Sequence, residues 1–167
     1  MHLRLLLAFM LALPAPLAIS LPSDANQPIK IESDRAERND KKGTTVYEGS
    51  VIIRQGTIKI RADKVIVYTE RGQVDRIVCI GKPAHYQQQP KPQDSLLLAS
   101  ADTIEYYLAA DRIDLLKNAS LKQNGTTITG EKINYDLKAE VVKASSSDTS
   151  KERIQMVIPP SNQKEGN

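Results

Sequence analysis

Tryptophan is absent from these 167 residues, and the one phenylalanine, Phe9, lies in an apolar run near the start. Six tyrosines are the other members of the aromatic set. Stacking platforms for sugars or single-stranded nucleic acid need several flat faces in succession, which this chain does not supply. A formal net charge of +3, lower still without Arg4, is too balanced to favour nucleic acid as a partner. The single cysteine, Cys79, excludes an internal disulfide. It is expected as a small buried thiol in a strand. With His85 as the one histidine beyond the start and no second cysteine, a zinc or copper site has no ligand set. His85 reads as an exposed strand residue. The glycines form no phosphate-cradling loop, and no Ser-His-Asp spacing stands out. No catalytic residue, metal or cofactor is therefore expected.

Met1 to Arg4 is short and basic, and Leu5 to Ile19 is rich in Leu and Ala. Small residues at cleavage spacing follow, in Ala18-Ile19-Ser20 or Ser23-Asp24-Ala25. This order reads as a secretory signal peptide over residues 1–25, cut after about residue 20 or 25. The apolar run holds Pro14 and Pro16 and falls short of the roughly 20 residues a spanning helix needs. Residues 26–160 then form one domain, with 161–167 as a disordered tail and Ser145–Ser150 as a flexible connection before a last strand.

Strand signals fill that domain. Short runs rich in Val, Ile, Leu and Tyr are separated by Gln55-Gly56, Arg71-Gly72, Gly81-Lys82-Pro83, Lys117-Asn118 and Asn124-Gly125. The pattern predicts an all-β fold, with on the order of 14 strands if each takes its usual share of residues.

One pattern repeats. Ala62-Asp63-Lys64-Val65-Ile66-Val67 matches Ala101-Asp102-Thr103-Ile104-Glu105-Tyr106 and Gly130-Glu131-Lys132-Ile133-Asn134-Tyr135, with a fainter copy at Ser33-Asp34. A second element, Glu48-Gly49-Ser50-Val51, Gly81-Lys82-Pro83-Ala84 and Lys117-Asn118-Ala119, recurs between the copies. Repeats of this length imply stacked units that hide their apolar faces only against each other. The small residue lets the backbone bend, and the carboxylate is expected to accept from N–H groups left free there. Asp63, Asp102 and Glu131 thus read as corner residues rather than as a pair of glycosidase acids.

Alternation assigns the faces. Ile104, Tyr106 and Leu108 point one way, with Thr103, Glu105 and Tyr107 the other. The repeat gives Val65, Val67, Ile133 and Tyr135 the same inward phase. Ile29 and Ile31 around Lys30, Val51 and Ile53, Ile58 and Ile60, and Ala84 and Tyr86 around His85 complete the set. The result is a V of bent strands with an apolar interior and two unclosed ends. An acyl chain fits such an interior, since each buried methylene contributes about 0.8 kcal/mol. A filled core without cargo is the alternative.

The segments Tyr47–Val51, Gln55–Asp63, Gly81-Lys82-Pro83-Ala84 and Gly130–Tyr135 resemble the OstA-type domain family of lipopolysaccharide transport. Gln27-Pro28-Ile29 followed by Ile31-Glu32-Ser33-Asp34 is similar to the start of its soluble periplasmic member. The resemblance implies an open antiparallel β-jellyroll, or β-taco, whose groove takes the acyl chains of lipopolysaccharide. It implies groove contacts at Ile29, Ile31, Tyr86, Tyr106 and Leu108. It also implies a periplasmic bridge between an inner-membrane anchor protein and the N-terminal domain of an outer-membrane translocon. A membrane-anchored sister of the same system is the rival within the family. Unpaired edge strands invite strand addition. The expected edges are Ile29, Lys30, Ile31 and Glu32 at one end and Arg153, Ile154, Gln155, Met156, Val157 and Ile158 at the other, which would also join copies head to tail.

Overall fold

The computed structural model describes residues 24–91, 93–146 and 153–160. The signal segment up to residue 23, the Ser145–Ser150 connection beyond residue 146 and the tail lie outside the described residues. After a turn of 3-10 helix at Asp24–Asn26 come ten strands. They are β1 (Lys30–Glu32), β2 (Arg35–Asn39), β3 (Thr44–Gln55), β4 (Ile58–Glu70), β5 (Gln73–Gln88), β6 (Leu97–Tyr107), β7 (Arg112–Gln123), β8 (Thr126–Asp136), β9 (Val141–Ser145) and β10 (Gln155–Val157). All pair antiparallel in one sheet, and β3 to β8 follow one another as neighbours.

The strands are fewer and longer than the sequence pattern suggests, because two presumed turns are not turns. Gly81-Lys82-Pro83 lies inside the 16-residue β5, and Lys117-Asn118 lies inside β7. Both are bulges. Between Arg61 and Lys64 on β4, two residues face four on β5. Between Leu116 and Ala119 on β7, two residues face one on β8. Gly49-Ser50 does the same in β3 against Asp63 in β4. The surplus sits on β3, β5 and β7, and the small-acidic pair on β4, β6 and β8. The two repeated elements are thus opposite halves of one corner. Extra residues on one strand lengthen it locally and force a bend, while a small residue opposite leaves room for it.

The backbone at these bulges needs special conformations. Gly49, Ser50, Lys117 and Asn118 have φ of 84°, 46°, 63° and 51°. A Cβ on Gly49 would overlap the Asp34 carboxylate. The corner carboxylates do not all act as expected: Asp102 accepts from the side-chain amide of Asn118 at 3.0 Å, not from a backbone N–H.

The line of bulges folds the sheet into two arms. One arm has β1 and β10 at its ends and carries the second half of β3, the first half of β4, and so on through β8. The other has β2 and β9 at its ends. Both inner faces are apolar.

Candidate functional site: the interior between the arms

Pairing register turns alternation into rows. Across the β1/β10 arm runs Ile31, Ile53, Ile60, Tyr86, Ala99, Leu121, Ile128 and Met156, one residue per strand. Across the β2/β9 arm runs Ala36, Tyr47, Val65, Cys79, Ile104, Leu115, Ile133 and Ala144. At about 4.8 Å per strand each row is about 35 Å long. No charged side chain interrupts either row.

The structure packs these faces together. Val51, Ile53, Ile58, Ile60, Val65, Val67, Ala84, Tyr86, Ile104, Tyr106, Ile133 and Tyr135 are all buried, and Ile29, Ile31 and Leu108 lie partly buried against them. The same interior holds Ile77, Leu97, Ile113, Leu115, Leu121 and Ile128, which the sequence reading passed over. Ile113-Asp114-Leu115 alternates plainly enough to have placed two of them. At the far end the row runs out into solvent, where Met156 is 56 % exposed.

Cys79 is fully buried, and burial pushes its thiol up to about 12. His85 is exposed on β5. Two interior hydroxyls differ. Tyr86 donates to Gln88 Oε1 at 2.9 Å, while the buried Tyr106 hydroxyl meets no partner among the described residues.

The free tips of the two arms meet through side chains. Lys91, beyond the end of β5, donates to Glu140 Oε1 at 2.9 Å, on the turn between β8 and β9. The Tyr135 hydroxyl donates to Gln123 Oε1 at 3.4 Å. Between the tips lies a polar cavity of about 180 Å³, lined by Asp24, Thr57 and Gln88 from one arm and Asp111, Tyr135 and Glu140 from the other. Asp24 accepts from the Thr57 N–H at 2.6 Å, the Thr57 hydroxyl at 2.7 Å and the Gln88 amide at 2.8 Å. Across the cavity, burial first and then the nearby Asp24 carboxylate push the Asp111 carboxyl above its ordinary range. Among the described residues, no group of three His, Cys, Asp or Glu side chains is placed to hold a metal ion, and no helix is long and apolar enough to cross a membrane.

Residues 30–141 match the family model described as LptA/(LptD N-terminal domain) LPS transport protein. The chain belongs to this family. The lipopolysaccharide export system protein LptH of Pseudomonas aeruginosa is 37 % identical over 155 residues, 89 % of each chain. LptA of Escherichia coli K12, another lipopolysaccharide export system protein, is 38 % identical over 166 residues, 96 % of this chain and 86 % of that one. The crystal structure of LptH from P. aeruginosa superimposes with a TM-score of 0.78, covering 83 % of this chain and all of that one. It is described as the LptA-homologous periplasmic component of the conserved lipopolysaccharide transport device. The all-β open jellyroll of this LptA/LptD-type family is therefore the fold seen here, by sequence and by structure together.

Proposed function

We propose that this protein works in the periplasm as a lipopolysaccharide-binding transport component, holding acyl chains between its two arms. The observation that carries this reading is the pair of uninterrupted apolar rows running from edge strand to edge strand. The relatives, lipopolysaccharide export system proteins, point to the same cargo. The packed interior does not oppose it. Each arm keeps its own ladder of backbone hydrogen bonds, so the arms can part by losing side-chain contacts alone. Branched aliphatic rows prefer no single position for a chain, so a lipid can slide along them. The role is read as passive carriage, with the work supplied from elsewhere.

The residues we assign to the lipid are the fifteen inward positions predicted from alternation, from Ile29 to Tyr135. The edges β1 and β10, with their flanks out to Ile29 and Ile158, are assigned to joining. They serve an inner-membrane anchor protein, an outer-membrane translocon domain and further copies of this chain, head to tail. Residues 26–160 act as the single working domain. Export by a cleaved signal fits this placement. Since Asp24 is bonded to both Thr57 and Gln88, cleavage after Ser20 keeps this network and cleavage after Ala25 destroys it. The mass of the exported protein decides between them, and a mature chain starting at Leu21 is expected.

The carriage reading is tested by holding the tips shut. A cysteine pair replacing Lys91 and Glu140, bridged by a short bis-maleimide, should lose most lipopolysaccharide uptake, while either single variant treated alike keeps it. Equal uptake by the bridged protein would show that the interior stays closed to lipid.

A further inference from the structure

The outer faces of the two arms are built differently. On the β2/β9 arm, most outward cations stand beside carboxylates: Lys64 with Glu48 at 2.9 Å, Arg76 with Glu105 at 3.5 Å, and Arg112 with Asp114 at 3.1 Å, while Lys132 and Lys143 near the β9 edge make no ion pair among the described residues. The other arm breaks this pattern. Lys30, Arg54 and Lys59 are successive neighbours in one cross-strand row, and Gln87, Leu98 and Lys122 continue it. Arg61 and His85 stand opposite each other in the next row. Short of the corner, the strands of this arm put one carboxylate on that face, Glu32, and it is already bonded to Arg54. Lys59, Arg61 and Lys122 make no ion pair among the described residues.

The same face also exposes apolar surface at its centre. Leu98 is 41 % exposed, as is Leu96 just before β6. Leu98 shares a shallow depression of about 190 Å³ with Lys59, Arg61, His85 and Gln87. Its strand neighbours Leu97 and Ala99 point inward and are buried, so Leu98 faces outward by the pleat and not through disorder.

From this juxtaposition we infer that the outer face of the β1/β10 arm rests on an anionic bilayer surface. Basic side chains near such a surface are drawn to its negative potential, and leucines among them can enter the headgroup boundary, as apolar residues do in peripheral membrane contacts. A gently twisted strand face spreads those cations over several headgroups at once. An acidic protein would match the charge, but it gives no reason for leucines to stay exposed at the patch centre. The face lies on the outside of the arm, so contact there leaves the interior, both edges and the tips accessible.

The test is sedimentation of the purified mature protein with vesicles free of lipopolysaccharide. One set is phosphatidylethanolamine with phosphatidylglycerol, the other is phosphatidylcholine alone. Binding is expected to the anionic set, and it should fall sharply in half-molar salt, where screening is nearly complete. The triple variant Lys59→Gln/Arg61→Gln/Lys122→Gln should bind on the order of a hundredfold more weakly, and Leu98→Ser more weakly at unchanged charge. Circular dichroism and lipopolysaccharide binding of both variants should match the parent, since none of these side chains faces inward. Failure of the parent to bind anionic vesicles at low salt would overturn the inference, as would undiminished binding by the triple variant.

Discussion

Tyr86 and Tyr106 share the inner surface and differ in what their hydroxyls meet. Tyr86→Phe removes a bond to Gln88 and should cost about 1 kcal/mol in chemical denaturation. Tyr106→Phe removes a hydroxyl with no partner among the described residues and should cost nothing or stabilise. Asp111 makes a pH-dependent case. Its carboxyl is raised in the folded state, so the fold favours the protonated form, and stability falls as pH rises through that range. Asp111→Asn removes the penalty and tolerates the positive φ of 46° at this turn. It should therefore raise the melting temperature at neutral pH and lose that advantage in acid. A gain that persists below the ordinary carboxylate range would point to a cause other than charge.

The elements show how much was legible beforehand. Alternation placed Ile104 and Tyr106, Val65 and Val67, and Ile133 and Tyr135 inward, and all six are buried, because period two survives any error in strand length. The corners were seen at Ala62-Asp63, Ala101-Asp102 and Gly130-Glu131. Their partners across the sheet were not, because which strand takes the surplus residue depends on register, and register is a property of pairs. Gly81-Lys82-Pro83 therefore read as a turn between strands although β5 runs through it. The meeting of Lys91 with Glu140 brings together positions 49 apart, and no local pattern announces it. Bulges of this kind carry stability as well as shape. Gly49→Ala, at φ 84° and against the Asp34 carboxylate, should cost about 2 kcal/mol. The loss should appear as a lower denaturation midpoint with an unchanged slope.

At the largest scale the described residues form a sheet folded once, and among them no element caps the apolar rows at the ends. Met156 shows that condition directly, since it continues an inner row and is still exposed. An end of this kind suits continuation into a second jellyroll, whose own row would extend the path. Deleting residues 153–167 removes β10 and leaves the edge of β8 in that arm without its last partner. The shortened protein should keep its β circular dichroism and lose head-to-tail assembly in light scattering, whereas undiminished assembly would remove β10 from the joint.

The central claim, that lipid travels between the arms, is tested most directly by one pair of neighbours. Tyr106 faces inward and is 1 % exposed, while Tyr107 faces outward beside Arg76 and Arg112. A photo-crosslinking amino acid placed at each, separately, in cells making lipopolysaccharide should capture lipid from position 106 and not from 107. Capture from 107 alone, or from neither position in folded protein, would contradict the account and leave the interior a sealed core.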